Sequence, residues 1–247
     1  MSDAADTGLA QPPPTPPVTP QSARWLWPIL ALAAVGALGF ASHLIDELME
    51  GGNFKWDAAI LLAFRVPGHL DQTIGPRWMQ TSAQDISALG GPTLIWLLGG
   101  AGLGFMFYVG KKAEAAWLLA SVVGASLINT ALKLILHRPR PEVVPHLTYV
   151  SNASFPSGHA MISAAVYLTL GIMLAETQKR RTTRAYIVAF AGLLVILIGC
   201  SRVYLGVHWP SDVLAGWAFG AVWALMVFAA NRMLHGAALR RRTTPVG

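Results

Sequence analysis

Cysteine is nearly absent from this chain. Only Cys200 is present, which excludes an intrachain disulfide framework and a cysteine-based metal centre. Charge is almost as sparse, at 12% of the 247 residues, against about 25% in soluble domains. With 54% hydrophobic residues and several long apolar runs, a polytopic helical membrane protein is expected in place of a soluble enzyme. The net charge of +6 does not point to nucleic acid, because the basic residues sit in short clusters between apolar runs, a pattern of membrane topology. An internal repeat of the transporter kind is also missing.

What is present begins with a polar, proline-rich segment over 1–23, too poor in apolar residues to order itself and read as a disordered tail. The first apolar run is Trp25 to Ala41. Gly39-Phe40-Ala41 loosely resembles a cleavage site, but the tail before the run is long and acidic, so a retained span is expected. Residues 42–91 form the longest segment that does not span. Its stretch Asp57 to Leu70 carries apolar residues at helical spacing and predicts an amphipathic helix lying at the interface. Five further spans are predicted over about Pro92–Tyr108, Ala115–Leu136, Gly158–Ala175, Ala185–Cys200 and Val213–Met233, each near the ~20 residues that cross hydrocarbon. The expected fold is all-α: six transmembrane helices over 24–235 with an interfacial helix between spans 1 and 2, followed by a basic tail over 236–247.

Orientation follows from Lys and Arg. Arg24, Lys111, Lys112, Lys179, Arg180, Arg181, Arg184, Arg232 and Arg240 to Arg242 are 11 of the 18 basic residues and fall on one side. The positive-inside rule then assigns both termini to the cytoplasm and the third and fifth loops to the outer face.

Those two loops carry three polar motifs. Lys133 stands seven residues before Arg140, about two helical turns, so both can share a face before Pro139 and Pro141 break the helix. Snorkelling to lipid phosphates is the plainer reading of that pair. In Phe155 to His159, Ser157 suits an N-cap, Gly158 allows close backbone approach, and the free N–H groups of a helix start favour an anion beside His159. Ser201-Arg202 ends the fifth span, with His208 and Asp212 following. A carboxylate four residues from an imidazole can hold its N–H and free the other nitrogen to attack, although an interfacial His with a helix-start Asp has the same spacing. His159, His208 and Asp212 also suggest a two-His-one-carboxylate metal set. The positive charge of Lys133, Arg140 and Arg202 favours a phosphate over a cation, so neither metal nor cofactor is expected. His43, His69, His137, His146 and His235 lack such partner patterns and are read as interfacial.

Taken together, the motifs resemble those of the type 2 phosphatidic acid phosphatase superfamily. Lys133 with Arg140-Pro141 is similar to its first motif, Pro156 to His159 to its second, and Ser201-Arg202 with His208 and Asp212 to its third. The resemblance covers roughly 50–230, including Asp85 to Gly91. It implies a six-helix membrane phosphatase for lipid phosphates such as phosphatidylglycerophosphate, phosphatidate or undecaprenyl pyrophosphate, and kinship with soluble vanadium haloperoxidases, from which the apolar spans set this chain apart. It also implies roles: His208 as nucleophile forming a phosphohistidine, Asp212 orienting it, His159 as proton donor, and Lys133, Arg140, Arg202, Ser157 and Gly158 holding the phosphate. The implied partners are the lipid substrate and the bilayer of a bacterial cytoplasmic membrane, with the site on the outer face. A phosphotransferase on the same scaffold and a silent lipid binder are the rival expectations. Oligomeric state is left open by the sequence.

Overall fold

The computed structural model describes residues 22–50, 54–150 and 152–243. The proline-rich segment up to residue 21 and the last four residues lie outside them. Helices form where the apolar runs stand: α1 (Ser22–Met49), α4 (Pro92–Tyr108), α5 (Lys112–Leu136), α6 (Gly158–Glu176), α7 (Arg181–Tyr204) and α8 (Pro210–Thr243), with the shorter α2 (Lys55–Ala63) and α3 (Arg77–Leu89) between the first two. The outward faces of these helices are apolar as well. Phe105 and Leu127 are each 66% exposed, and an all-round apolar helix surface needs hydrocarbon against it. Among the described residues, five helices are long and apolar enough to cross a bilayer, and a sixth crossing is obtained if α3 and α4, bent by 45° at Gly90-Gly91, form one span.

α1 departs from its expected limits. The sequence ends the first span, Trp25–Ala41, at Ala41, whereas the helix covers that stretch and runs on to Met49. His43, Asp46 and Glu47 do not end it, because α1 packs along α8 and the helix continues past them.

The stretch Asp57 to Leu70 is a larger correction, since it is not one helix. α2 stops at Ala63, and strands β1 (Arg65–Val66) and β2 (His69–Thr73) then pair antiparallel. Pro67 cannot donate to a helix, and Gly68 sits at φ 80°. Val66-Pro67-Gly68-His69 thus meets the residue demands of a type II turn, which competes with and defeats the helical periodicity. The fold is otherwise helical, as expected.

α6 is the central element, packed against α4, α5, α7 and α8. Its contact with α8 depends on small residues, as is usual between membrane helices. A Cβ on Gly220 would stand 2.2 Å from the Met161 carbonyl oxygen and 2.7 Å from the Ala164 Cβ. The Gly220→Val protein is therefore expected to lose about 3 kcal/mol of stability through overpacking, read as a lower melting temperature in detergent. Above this contact, toward the motif end, Leu61 of α2 joins Ala160, Val203 and Val213 in one buried cluster. That cluster fixes α2 beside the first turns of α6 and α8.

Candidate active site

The three motifs meet because the helix ends that carry them are latched together. The Ser157 N–H donates to the Asp212 carbonyl at 3.0 Å, the Ser154 N–H to the Arg138 carbonyl at 2.9 Å, and the Trp209 indole N–H to the Pro139 carbonyl at 3.1 Å. Lys133 and Arg140 do not share a helix face, as their spacing suggested. α5 ends at Leu136, and His137 closes it in the left-handed region at φ 43°. Arg140 reaches the site from the loop instead, held by the Asn152 carbonyl and side-chain oxygens at 2.7 and 2.9 Å and the Val207 carbonyl at 2.6 Å. Lys133 donates from the other side to the Ala153 carbonyl.

One cavity of about 250 Å³ collects Lys133, Arg140, Gly158, His159, Arg202 and His208. It is also lined by Ile95 and Trp96 of α4, Ser126 and Asn129 of α5, and Ile162 of α6. Ser157 and Asp212 are fully buried beneath it and do not line it. Ser157 instead caps α6, its hydroxyl accepting from the Ala160 N–H at 3.5 Å. No acidic side chain lines the cavity among the described residues, so its electrostatics favour an anion. The Gly90-Gly91 bend rests on His159: a Cβ on Gly90 would stand 3.2 Å from the His159 carbonyl oxygen, and one on Gly91 3.7 Å from His159 Nε2.

His208 is 2% exposed. Its Nε2 lies 3.3 Å from Arg140 Nη1, a group that can only donate. Nε2 is therefore the acceptor, and the ring proton is assigned to Nδ1, 3.4 Å from Asp212 Oδ2. Burial first, then Arg140, Arg202 and Lys133, holds the imidazole well below its usual pKa. Both effects favour the neutral ring, and His208 lines the cavity with its Nε2 lone pair toward Arg140. Arg202, at the end of α7, donates to Ser87 Oγ of α3 at 2.6 Å, while its buried Nε has no protein partner among the described residues.

Sequence reasoning passed over Ser87, Asn152, Ser154, Arg138 and Asp57. Ser154 and Arg138 lay inside the motif stretches without a signal of their own. Among the other histidines, His146 meets the Pro141 carbonyl at 2.7 Å, His43 pairs with Glu47 at 3.8 Å, and neither these nor His69 or His137 lines the cavity.

The model of the PAP2 superfamily matches residues 114–235, a range that contains all three motifs. Phosphatidylglycerophosphatase B of Bacillus subtilis (strain 168) is 36% identical over 155 residues, which are 61% of this chain and 74% of that protein. The chain belongs to the PAP2 superfamily. Among solved structures, the first transmembrane PAP2 type phosphatidylglycerolphosphate phosphatase from Bacillus subtilis superposes with a TM-score of 0.69 at 28% identity, over 81% of this chain and 96% of that one. The lipid A 1-phosphatase of Rhizobium etli is 30% identical over 149 residues, 54% of this chain and 60% of that protein. The PAP2 match begins in α5, so α2, α3 and their contacts to the site lie ahead of it.

Proposed function

We propose that this PAP2 chain is an integral-membrane lipid phosphatase that cleaves a phosphomonoester or pyrophosphate through a phosphohistidine on His208. The observation that carries the reading is the single cavity in which three cations, His159 and the unprotonated Nε2 of His208 face one another. Phosphoryl oxygens would lie between Lys133, Arg140 and Arg202, whose forked guanidinium groups match them. Nε2 attacks phosphorus as the bond to the leaving oxygen breaks and His159 protonates that oxygen. The ring keeps its Nδ1 proton, and the Asp212 carboxylate offsets the positive charge that develops on it. Water then attacks phosphorus, His159 takes its proton, and the P–N bond breaks to return neutral His208 and inorganic phosphate. Fixed cations aimed at the phosphoryl oxygens supply most of the transition-state stabilisation.

A lipid substrate is supported by the lining from α4 and α5. An acyl or prenyl tail can lie between helices while its phosphate sits at headgroup depth. We take α3 and α4 as one bent span, giving six, with both termini in the cytoplasm and the cavity in the outer leaflet, a placement that the distribution of Lys and Arg supports. The names of the relatives make phosphatidylglycerophosphate the first substrate to try, followed by phosphatidate, undecaprenyl pyrophosphate and lipid A.

Detergent-purified protein is expected to release phosphate from at least one of these four lipids with EDTA present. Transfer to an added lipid acceptor, with no release in its absence, would convert the reading to a phosphotransferase. Binding without either reaction would leave a silent lipid binder.

A further inference from the structure

We infer that Asp57 and Arg138 are positioning residues for His208, acting through Asp212. The inference rests on the reading of His208 as nucleophile and extends the machinery to α2, outside the PAP2 match. Arg138 lies behind the cavity, 7% exposed, with its guanidinium carbon 5.8 Å from the Phe54 ring and 5.4 Å from the Trp209 ring. Its Nη1 donates to Asp212 Oδ1 at 2.5 Å and its Nη2 to Asp57 Oδ2 at 2.9 Å. Ser211 locks the pair: its hydroxyl accepts from Arg138 at 2.7 Å and donates to Asp57 Oδ2 at 2.5 Å, and its N–H donates to Asp57 Oδ1 at 2.8 Å. The other Asp212 oxygen accepts from the Trp209 N–H at 2.9 Å and from Ser154, and faces His208 Nδ1.

Charge explains why the chain has both members. The attacking imidazole becomes cationic with Lys133, Arg140 and Arg202 in front of it, so a net negative charge must stand behind it. Arg138 alone would cancel Asp212. Asp57 cancels Arg138 in turn, and the buried set Asp57, Arg138 and Asp212 keeps one net negative charge beside Nδ1–H. The same contacts aim the Asp212 carboxylate, since each of its oxygens is bound from a fixed direction.

Asp57 also docks α2 on the start of α8, so the test must separate charge from docking. Asp57→Asn keeps an oxygen for the Ser211 N–H and removes the charge. Full-length wild type and variant are compared for binding of inorganic phosphate, a ground-state probe, and of orthovanadate, which takes up the five-coordinate geometry of the attacked phosphorus. The expected result is orthovanadate binding weakened about 10-fold or more, with phosphate binding within about threefold. On a lipid substrate kcat falls in parallel with KM nearly unchanged, and Asp57→Glu restores most of both. Equal weakening of the two anions, or none, overturns the inference. If Asp57→Asn does not fold, Arg138→Lys serves. Its single ammonium keeps the charge but cannot span both carboxylates, and the same orthovanadate-specific loss is expected. A wild type that binds both anions yet turns over no lipid sinks the phosphatase reading, while the comparison of anions still decides the role of Asp57.

Discussion

Replacing His208 with Gln is expected to abolish phosphate release, by about 10⁴-fold or more, while the protein still folds, inserts and binds inorganic phosphate. The side chain is buried between Arg140 and Asp212. Gln fills much of the same space and can still accept from Arg140, so the loss is chemical and a cavity is largely avoided. Among the described residues, no other group beside the three cations offers a lone pair whose opposite nitrogen is held by a carboxylate. The companion His159→Gln separates the two histidines. Because p-nitrophenolate leaves without a proton, His159→Gln should still release it in a first-turnover burst, while its steady turnover of both esters falls with the loss of the base that activates water. His208→Gln should be inactive on both esters. A variant at His208 that releases p-nitrophenolate in a burst, with His159→Gln giving none, would exchange the two assignments.

The depressed basicity of His208 should keep the proposed nucleophile available over an unusual range. Because burial and the neighbouring cations hold its pKa well below the ordinary imidazole value, acidification to the usual titration range of histidine is expected to leave it unprotonated. Wild-type kcat/KM is therefore expected to show no loss near pH 6 from His208, and a pH profile in which His208 itself titrates there, followed by NMR of the imidazole, would contradict this.

Much of this site could be read from the sequence, for a physical reason. Lys133, Arg140, His159, Arg202 and His208 each stand at an end of an apolar run, where a polar group is conspicuous because hydrocarbon penalises it. α4 was legible to the residue because Gly90-Gly91-Pro92 punctuates its start. Asp57 was not legible. It stands in a stretch whose apolar periodicity fits a helix lying at the interface, where an acid would face water. Only the packing of Leu61 against Ala160, Val203 and Val213 shows that this helix turns Asp57 inward, onto the start of α8. Arg138 and Arg140 illustrate the same limit. They are two residues apart in one proline-flanked stretch, yet one lines the cavity and the other lies behind it. The left-handed turn at His137 and the loop beyond it make that division, and no periodicity encodes it. The β1–β2 hairpin could have been found from Pro67-Gly68, had turn chemistry been weighed above apolar spacing.

Arg202→Lys should lower kcat/KM by about 10²- to 10³-fold although the formal charge is unchanged. Arg202 is 4% exposed, and one of its terminal nitrogens is committed to Ser87. Its buried Nε has no protein partner among the described residues, and the side chain lines the anion cavity. A buried donor of this kind costs stability unless something accepts from it, and a phosphoryl oxygen is the acceptor the cavity suits. Lysine offers one nitrogen in place of a rigid fork. It can meet Ser87 or the phosphate, and it cannot hold the trigonal oxygens of a loosening phosphoryl group from a fixed direction. The loss should therefore fall mainly on kcat, since a flexible ammonium still attracts the substrate dianion. Ser87→Ala frees the fork without shortening it and is expected to cost about 10-fold or less. Steady-state kinetics of the three proteins on one lipid phosphate checks the order. An Arg202→Lys enzyme within threefold of wild type would show that Arg202 supplies charge alone and that its direction, set by α3, has no part in catalysis.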